Sequence, residues 1–384
     1  MPDFDADLSD PWVAKACARE AFHVDAVPCD KAGGRPLEQV RLVRESGLPA
    51  AHIPTTYGGG GASWRSVLRV VREFAKTDGS LAHLYGYHHL PLHAVVARAT
   101  PAQRDSLLRA SAVSQWLWGN AGNAMSPTSR AKRDGSAWVL DGFRPFSSGS
   151  HVADRLLVTW EDDAGQRVSA VIPADRAGVV VEDDWGGIGQ RQTGSGTVRF
   201  KAVRVAEDEL LGQPGDRLTP FVSLTTLLQQ GVLLNVFLGA AQGALAEARD
   251  YTRNTSRPWL HSGVEKHTDD PWVQCKYGEL AIRTLAATEL AEQAAGARTA
   301  PGRPPCPAGA VPALRVRSRP LEAFRIRQRG IPSRALFVAI VQAFRVGQSA
   351  HGRRRLLSGH PFHPYSLPGT KSTPMRSARS SSCA

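Results

Sequence analysis

Residues 138–149 read Trp138-Val-Leu-Asp-Gly-Phe-Arg-Pro-Phe-Ser-Ser-Gly149, and in this stretch the chain has changed its period. Upstream, apolar residues recur every three or four positions, at Leu37, Val40, Leu42 and Val43, then at Val67, Leu68, Val70, Val71 and Phe74. That spacing predicts helices from residue 11 to about 112. Pro101 opens the last of them, in the position where its missing N–H costs least. From about 113 to 215 the period is two. Residues 138–142, 155–160, 168–172, 178–182 and 197–200 read as short strands divided by Gly, Asp or Pro turns. After Pro214-Gly215 helical spacing returns, near 220–254 and 271–295. Helices, then strands, then helices predict an α+β chain of segregated layers and exclude βαβ alternation. The expected domains are an N-terminal helical one (1–112), a middle β-domain or small barrel (113–215) and a C-terminal helical one (216–296).

Composition removes several classes of function. At 384 residues the chain can bury a sizeable core, and 42% apolar with 21% charged residues is ordinary for a globular protein. The opening MPDFDADLSDPW is acidic and has no apolar run, so no secretory signal is expected. The most apolar segment, 224–245, contains Gln229, Gln230, Asn235 and Gln242. Those amides would lie unsatisfied in hydrocarbon, which predicts a buried core helix and no membrane span. Five cysteines, an odd number without a CxxC pair, predict reduced thiols and a cytoplasmic location. The 12 histidines show no metal-binding spacing such as HExxH, so no metal is expected.

The net charge of +12 sits in one place. Residues 297–384 hold sixteen bases against the single acid Glu322, a net +15, which leaves −3 on the rest of the chain. A basic tail without ordered aromatics makes a poor base-stacking platform, and no nucleic-acid partner is expected.

Five places carry candidate chemistry. His83-Leu-Tyr-Gly-Tyr-His-His89 puts His83 and Tyr87 four apart, on one helix face. His83 could donate a proton or hydrogen bond beside the Tyr87 ring, although a helix with aromatic core residues and two exposed histidines reads the same way. Trp116-Leu-Trp-Gly-Asn120 offers an amide next to glycine, and Phe146-Ser-Ser-Gly149 places the Ser148 hydroxyl after a strand and turn. Trp185, in Asp183-Asp-Trp-Gly-Gly-Ile-Gly189, is a site wall or a strand-end aromatic; no βαβ unit surrounds it, so this is no dinucleotide fingerprint. Arg257-Pro-Trp259 follows the long helix, where a guanidinium suits a phosphate or the helix C-terminus.

Taken in order, these stretches resemble the acyl-CoA dehydrogenase superfamily. Asp141-Gly-Phe-Arg-Pro-Phe-Ser-Ser-Gly149 with Ala153-Asp-Arg-Leu-Leu-Val158 is similar to its flavin-contacting strand and loop. Gly189-Gln-Arg-Gln-Thr-Gly-Ser-Gly-Thr-Val198, Val203-Arg-Val-Ala-Glu207 and Leu210-Leu-Gly212 resemble the end of its β-domain. Within it the resemblance is to the branch of dibenzothiophene monooxygenase and sulfur-acquisition enzymes. Tyr57-Gly-Gly59, Asp78-Gly-Ser-Leu81, His83 with Gly86-Tyr-His88, Gly119-Asn-Ala121, Asp183-Asp-Trp185, Gly189-x-Arg-Gln-Thr193 and Tyr251-Thr-Arg253 with Arg257-Pro-Trp259 carry it.

The resemblance implies reduced FMN as cofactor, with FAD and acyl-CoA dehydrogenation as the alternative. It implies oxygen as co-substrate, a small sulfur- or nitrogen-containing substrate, a separate flavin reductase and a homo-oligomer, typically a tetramer. By the same resemblance His83 and Ser148 serve a flavin hydroperoxide, Tyr87 and Asn120 line the flavin, Trp185 lines the substrate and Arg257 meets the flavin phosphate.

The C-terminus departs from that pattern. The family's closing Arg-x-His-Ser/Thr-Leu-x-Asp-Pro segment is absent as written, and Pro, Arg and Ala dominate 299–320. Read from the second codon base, residues 358–370 permit Asp-Ile-Arg-Ser-Thr-His-Thr-Leu-Tyr-Pro-Val. A frame shift near 296–305 is therefore expected, with a poorly packed tail, an incomplete site, exposed apolar surface on the 220–254 helix and an inactive chain.

Overall fold

The computed structural model describes residues 4–296, apart from 19–21, 23–25, 124–127, 163–164 and 213–219. The expectations about the basic tail lie outside the described residues.

Six helices come first: α1 (Pro11–Cys17), α2 (Ala26–Ala32), α3 (Leu37–Ser46), α4 (Trp64–Ala75), α5 (Gly79–Arg98) and α6 (Pro101–Ser114). Their starts follow the side chains that can satisfy free backbone N–H groups. Ser63 accepts from Ser66 N ahead of α4, and Asp78 accepts from Ser80 N and Leu81 N ahead of α5. Thr100 and Gln103 close a reciprocal capping box on α6.

The strands are β1 (Trp118–Ala121), β2 (Ser129–Asp134), β3 (Ala137–Arg144), β4 (Arg155–Glu161), β5 (Arg167–Pro173), β6 (Val179–Val181) and β7 (Val198–Ala206). They form one seven-stranded sheet whose path runs β1-β4-β2-β3-β7-β6, with β5 also on β4. The barrel expectation is met only as a curled sheet, because no pairing joins β6 back to β1 or β5 among the described residues. Leu140, Leu156, Val158, Trp160, Ile172, Val198, Phe200 and Val203 fill its interior.

Two long helices follow, α7 (Pro220–Asn254) and α8 (Pro271–Gly296), close to the predicted bounds. By length and composition α7 could cross a membrane. Its Leu228, Val232 and Val236 instead belong to a core cluster shared with α1, α4 and α5. Gly239 and Gly243, one turn apart, let α7 lie on the α4 backbone, since a Cβ there would overlap Arg72 O and Lys76 O. Gly86 does the same for α5, against Val232. α8 is tied to α4 by Glu292, which accepts from Arg69 at 2.8 Å and also pairs with Arg65 and Arg72. The exposed apolar surface expected on α7 is partly elsewhere: Leu227 is exposed there, but Ile282, Leu285 and Leu290 stand out on α8.

α5 is the element that joins helices to sheet. His88 Nε2 donates to Pro49 O at 2.8 Å, and its Nδ1 accepts from Trp118 N at 3.1 Å. The two histidines that a surface reading would expose, His88 and His89, are both fully buried. The network fixes the start of β1 against the middle of α5, one turn beyond His83.

Candidate active site

His83 and Tyr87 lie on one face of α5 with ring centroids 4.1 Å apart, as their spacing predicted. The partner of His83 comes from 107 residues downstream: Nδ1 lies 2.8 Å from Gln190 Oε1. The other end of that amide donates from Nε2 to Gly79 O, also at 2.8 Å. A carbonyl can only accept, so the amide orientation is fixed and Gln190 presents oxygen to the imidazole. The His83 proton is therefore on Nδ1. Its Nε2 carries a lone pair, is shut off from solvent and has no partner among the described residues. Burial lowers the His83 pKa to about 4, so the ring is neutral at pH 7. Nδ1 is thus the donor of this ring and Nε2 its acceptor.

The Gln190 backbone carbonyl collects two more groups. Trp185 Nε1 donates to it at 2.7 Å and Thr193 Oγ1 at 2.8 Å. From Thr193 a chain of hydroxyls continues to Ser195 and on to Ser148, each step 2.7 Å. Backbone bonds clamp the same loops together, Ser147 N to Gly196 O at 2.9 Å and Gly149 N to Thr193 O at 3.0 Å. Asn120 joins through its own N–H, 3.3 Å from Ser148 O. Thus His83, Tyr87, Trp185, Ser148 and Asn120, drawn from α5, β1 and two loops, form one connected cluster.

Phe146 is a site residue that the sequence reading passed over. Its φ of +58° is a left-handed backbone that a phenylalanine adopts only under constraint. The loop holds the ring 61% exposed, edge-on to Trp185 at 6.1 Å. Gln229 was read only as an amide against membrane insertion, yet it donates to Tyr87 Oη at 3.1 Å.

Arg257 does not join this cluster within one chain. It is exposed and lies past the end of α7. Gln229, the α7 residue bonded to Tyr87, is 25 residues before Asn254, about 37 Å along the axis at 1.5 Å per residue.

The exposed Phe146 ring beside the half-buried Trp185, the neighbouring Asn120 and a buried His83 nitrogen without a partner among the described residues suit a flat ring system with polar edges, as an isoalloxazine has. No cluster of potential metal ligands occurs among the described residues.

Comparison with known proteins agrees with that architecture. Residues 12–114 match the model of the acyl-CoA dehydrogenase N-terminal domain, and 232–319 match its C-terminal domain. The chain is 40% identical over 290 residues to the probable FMNH2-dependent monooxygenase SfnC of Pseudomonas putida, covering 74% of this chain and 73% of that protein. It is 37% identical over 307 residues to a dibenzothiophene monooxygenase of Rhodococcus qingshengii, covering 76% and 74%. The structure of TdsC from Paenibacillus sp. A11-2 with FMN and indole superposes with a TM-score of 0.73 at 32% identity, covering 90% and 88%.

The fold and the cluster define a flavin enzyme of acyl-CoA dehydrogenase architecture. The chain belongs to the acyl-CoA dehydrogenase family, in its branch of flavin-dependent monooxygenases. Acyl-CoA dehydrogenases themselves are only distant relatives, at 25% identity.

Proposed function

We propose that this protein uses reduced FMN and molecular oxygen to oxygenate a sulfur-containing small molecule. The observation that carries this is the closed network around His83, in a chain whose relatives include FMNH2-dependent and dibenzothiophene monooxygenases. Reduced FMN, when bound, supplies the electrons that activate oxygen. The protein supplies position and dryness. Gln190 fixes the His83 ring and its proton, leaving Nε2 as an acceptor toward the flavin. Ser148 and Asn120 hold the flavin from the sheet side. Tyr87, Phe146 and Trp185 wall the pocket, with Trp185 on the substrate side, and exclude the water that would divert the reaction.

Three further readings belong to this proposal. Use of FMNH2 as a diffusible co-substrate calls for a separate flavin reductase. Arg257, too far from His83 along α7, meets the flavin phosphate of a second copy, which makes the working unit a homo-oligomer. The enzyme works in the cytoplasm. Mass spectrometry of the flavin retained by the protein tests the assignment: FMN is expected, and retained FAD with turnover of an acyl-CoA would replace it with a dehydrogenase.

A further inference from the structure

The hydroxyl chain has only one possible direction. Gln190 O is a carbonyl and must accept, so the single proton of the Thr193 hydroxyl is committed to it at 2.8 Å. Between Thr193 and Ser195, 2.7 Å apart, Ser195 must then be the donor. Between Ser195 and Ser148, also 2.7 Å apart, the proton must come from Ser148. The hydroxyls thus line up from Ser148 through Ser195 and Thr193 to the Gln190 carbonyl. Ser148 and Ser195 are buried, 4% and 4% exposed, and Thr193 is fully buried, so no solvent reorients them. Ser148 is left with lone pairs only.

Gln190 imposes the same polarity on His83 through its side chain. The amide oxygen accepts the Nδ1 proton, which leaves the buried Nε2, without a partner among the described residues, as a second acceptor. One residue, through its backbone carbonyl and its side-chain amide, therefore determines that both polar groups offered to the ligand accept hydrogen bonds.

We infer that Gln190, Thr193 and Ser195 are positioning residues that make the site selective for the reduced state of the flavin. This rests on the proposal that Ser148 and His83 face the flavin ring. Reduced flavin carries N–H at N5, a donor that two acceptors satisfy. Oxidised flavin has a lone pair at N5, which would face further lone pairs with no proton between them. A buried acceptor left unpaired costs enough to give a preference of roughly ten- to a hundredfold. The preference keeps oxidised FMN from occupying the site and lets it leave after turnover.

The test uses the full chain under anaerobic conditions, measuring the dissociation constants of oxidised and photoreduced FMN and the midpoint potential of bound FMN. The wild-type protein is expected to bind reduced FMN at least tenfold tighter. That raises the two-electron potential by about 30 mV for each factor of ten. Ser195→Ala frees the Ser148 proton to turn toward N5, and the preference should collapse by tenfold or more, chiefly through tighter binding of oxidised FMN. Thr193→Val breaks the chain one link further on and should act the same way, while Thr193→Ser should keep the wild-type potential. Equal affinity for the two redox states, or a potential unmoved in both Ser195→Ala and Thr193→Val, overturns the inference and leaves the flavin site standing. Failure of the protein to bind FMN in either state even with its C-terminal frame restored overturns the site and the inference together.

Discussion

Gln190 Oε1 lies 2.8 Å from His83 Nδ1, and this contact spans 107 residues, from the loop between β6 and β7 to the first turns of α5. It decides which face of the imidazole holds the proton. Gly79 is part of the device, since a Cβ at that position would crowd the Gln190 amide at 3.0 Å.

Exchanging the amide at 190 should therefore retune the imidazole. In Gln190→Glu a carboxylate replaces the neutral oxygen, and an adjacent negative charge favours the imidazolium. The His83 pKa should rise from about 4 by roughly 1–3 units, followed by NMR of the ring protons. Gln190→Ala should lose about 1 kcal/mol of hydrogen bonding and leave the tautomer free. A His83 pKa unmoved in Gln190→Glu would contradict the contact.

Stability should depend on pH through buried imidazoles. Burial lowers the pKa of His83, His88 and His151 to about 4, below the unfolded value of 6.5, and also holds that of His89 well below 6.5. Between those values the unfolded chain binds more protons than the folded one. Stability is thus fully present above pH 6.5 and is lost as pH falls toward 4. The slope is about 1.4 kcal/mol per pH unit for each such histidine. Urea midpoints at pH 7.5, 6.0 and 5.0 should fall in that order, and a constant midpoint would contradict the burial.

Gly243→Ala should destabilise the fold by about 1–3 kcal/mol or more, because the added methyl meets the Lys76 backbone carbonyl and not a movable side chain. Gly278→Ala, with open space around its Cβ, is the control: a good helix former in an exposed turn should be neutral or stabilising. Equal melting temperatures for the two variants would show that α7 does not lie on α4 as described.

The sequence made some of this legible and hid the rest for definite reasons. His83 and Tyr87 were readable because helical spacing is local. α7 and α8 were readable because their apolar periods are long. β2 was missed because Ser-Arg-Ala-Lys-Arg-Asp looks charged, although only the small Ser129 and Ala131 turn inward. Gln190 stood at the variable position of Gly189-x-Arg-Gln-Thr193, and nothing local distinguishes it. Its partners, Gly79, His83, Trp185 and Thr193, meet only when the sheet's last loop folds against α5. Arg257 was placed at the flavin phosphate by the resemblance of Arg257-Pro-Trp259, and the length of α7 separates it from the His83 cluster within one chain.

Out-of-frame reading of the C-terminus predicts a length change in the coding sequence. The family match runs on to residue 319, past the 296–305 window, so the loss of pattern is to be sought between codons 290 and 325. Resequencing there should find an insertion or deletion that restores the Arg-x-His segment. An intact frame would refute the reading.

Labelled oxygen reports the transfer itself. The protein, with its C-terminal frame restored, is given photoreduced FMN, 18O2 and dibenzothiophene or another small organosulfur compound, alongside His83→Phe. One 18O atom is expected in the sulfur product per turnover of the wild-type enzyme. His83→Phe should still bind FMN but give roughly ten- to a hundredfold less product, with hydrogen peroxide in its place. Unlabelled product, or a His83→Phe enzyme as well coupled as wild type, would contradict that transfer.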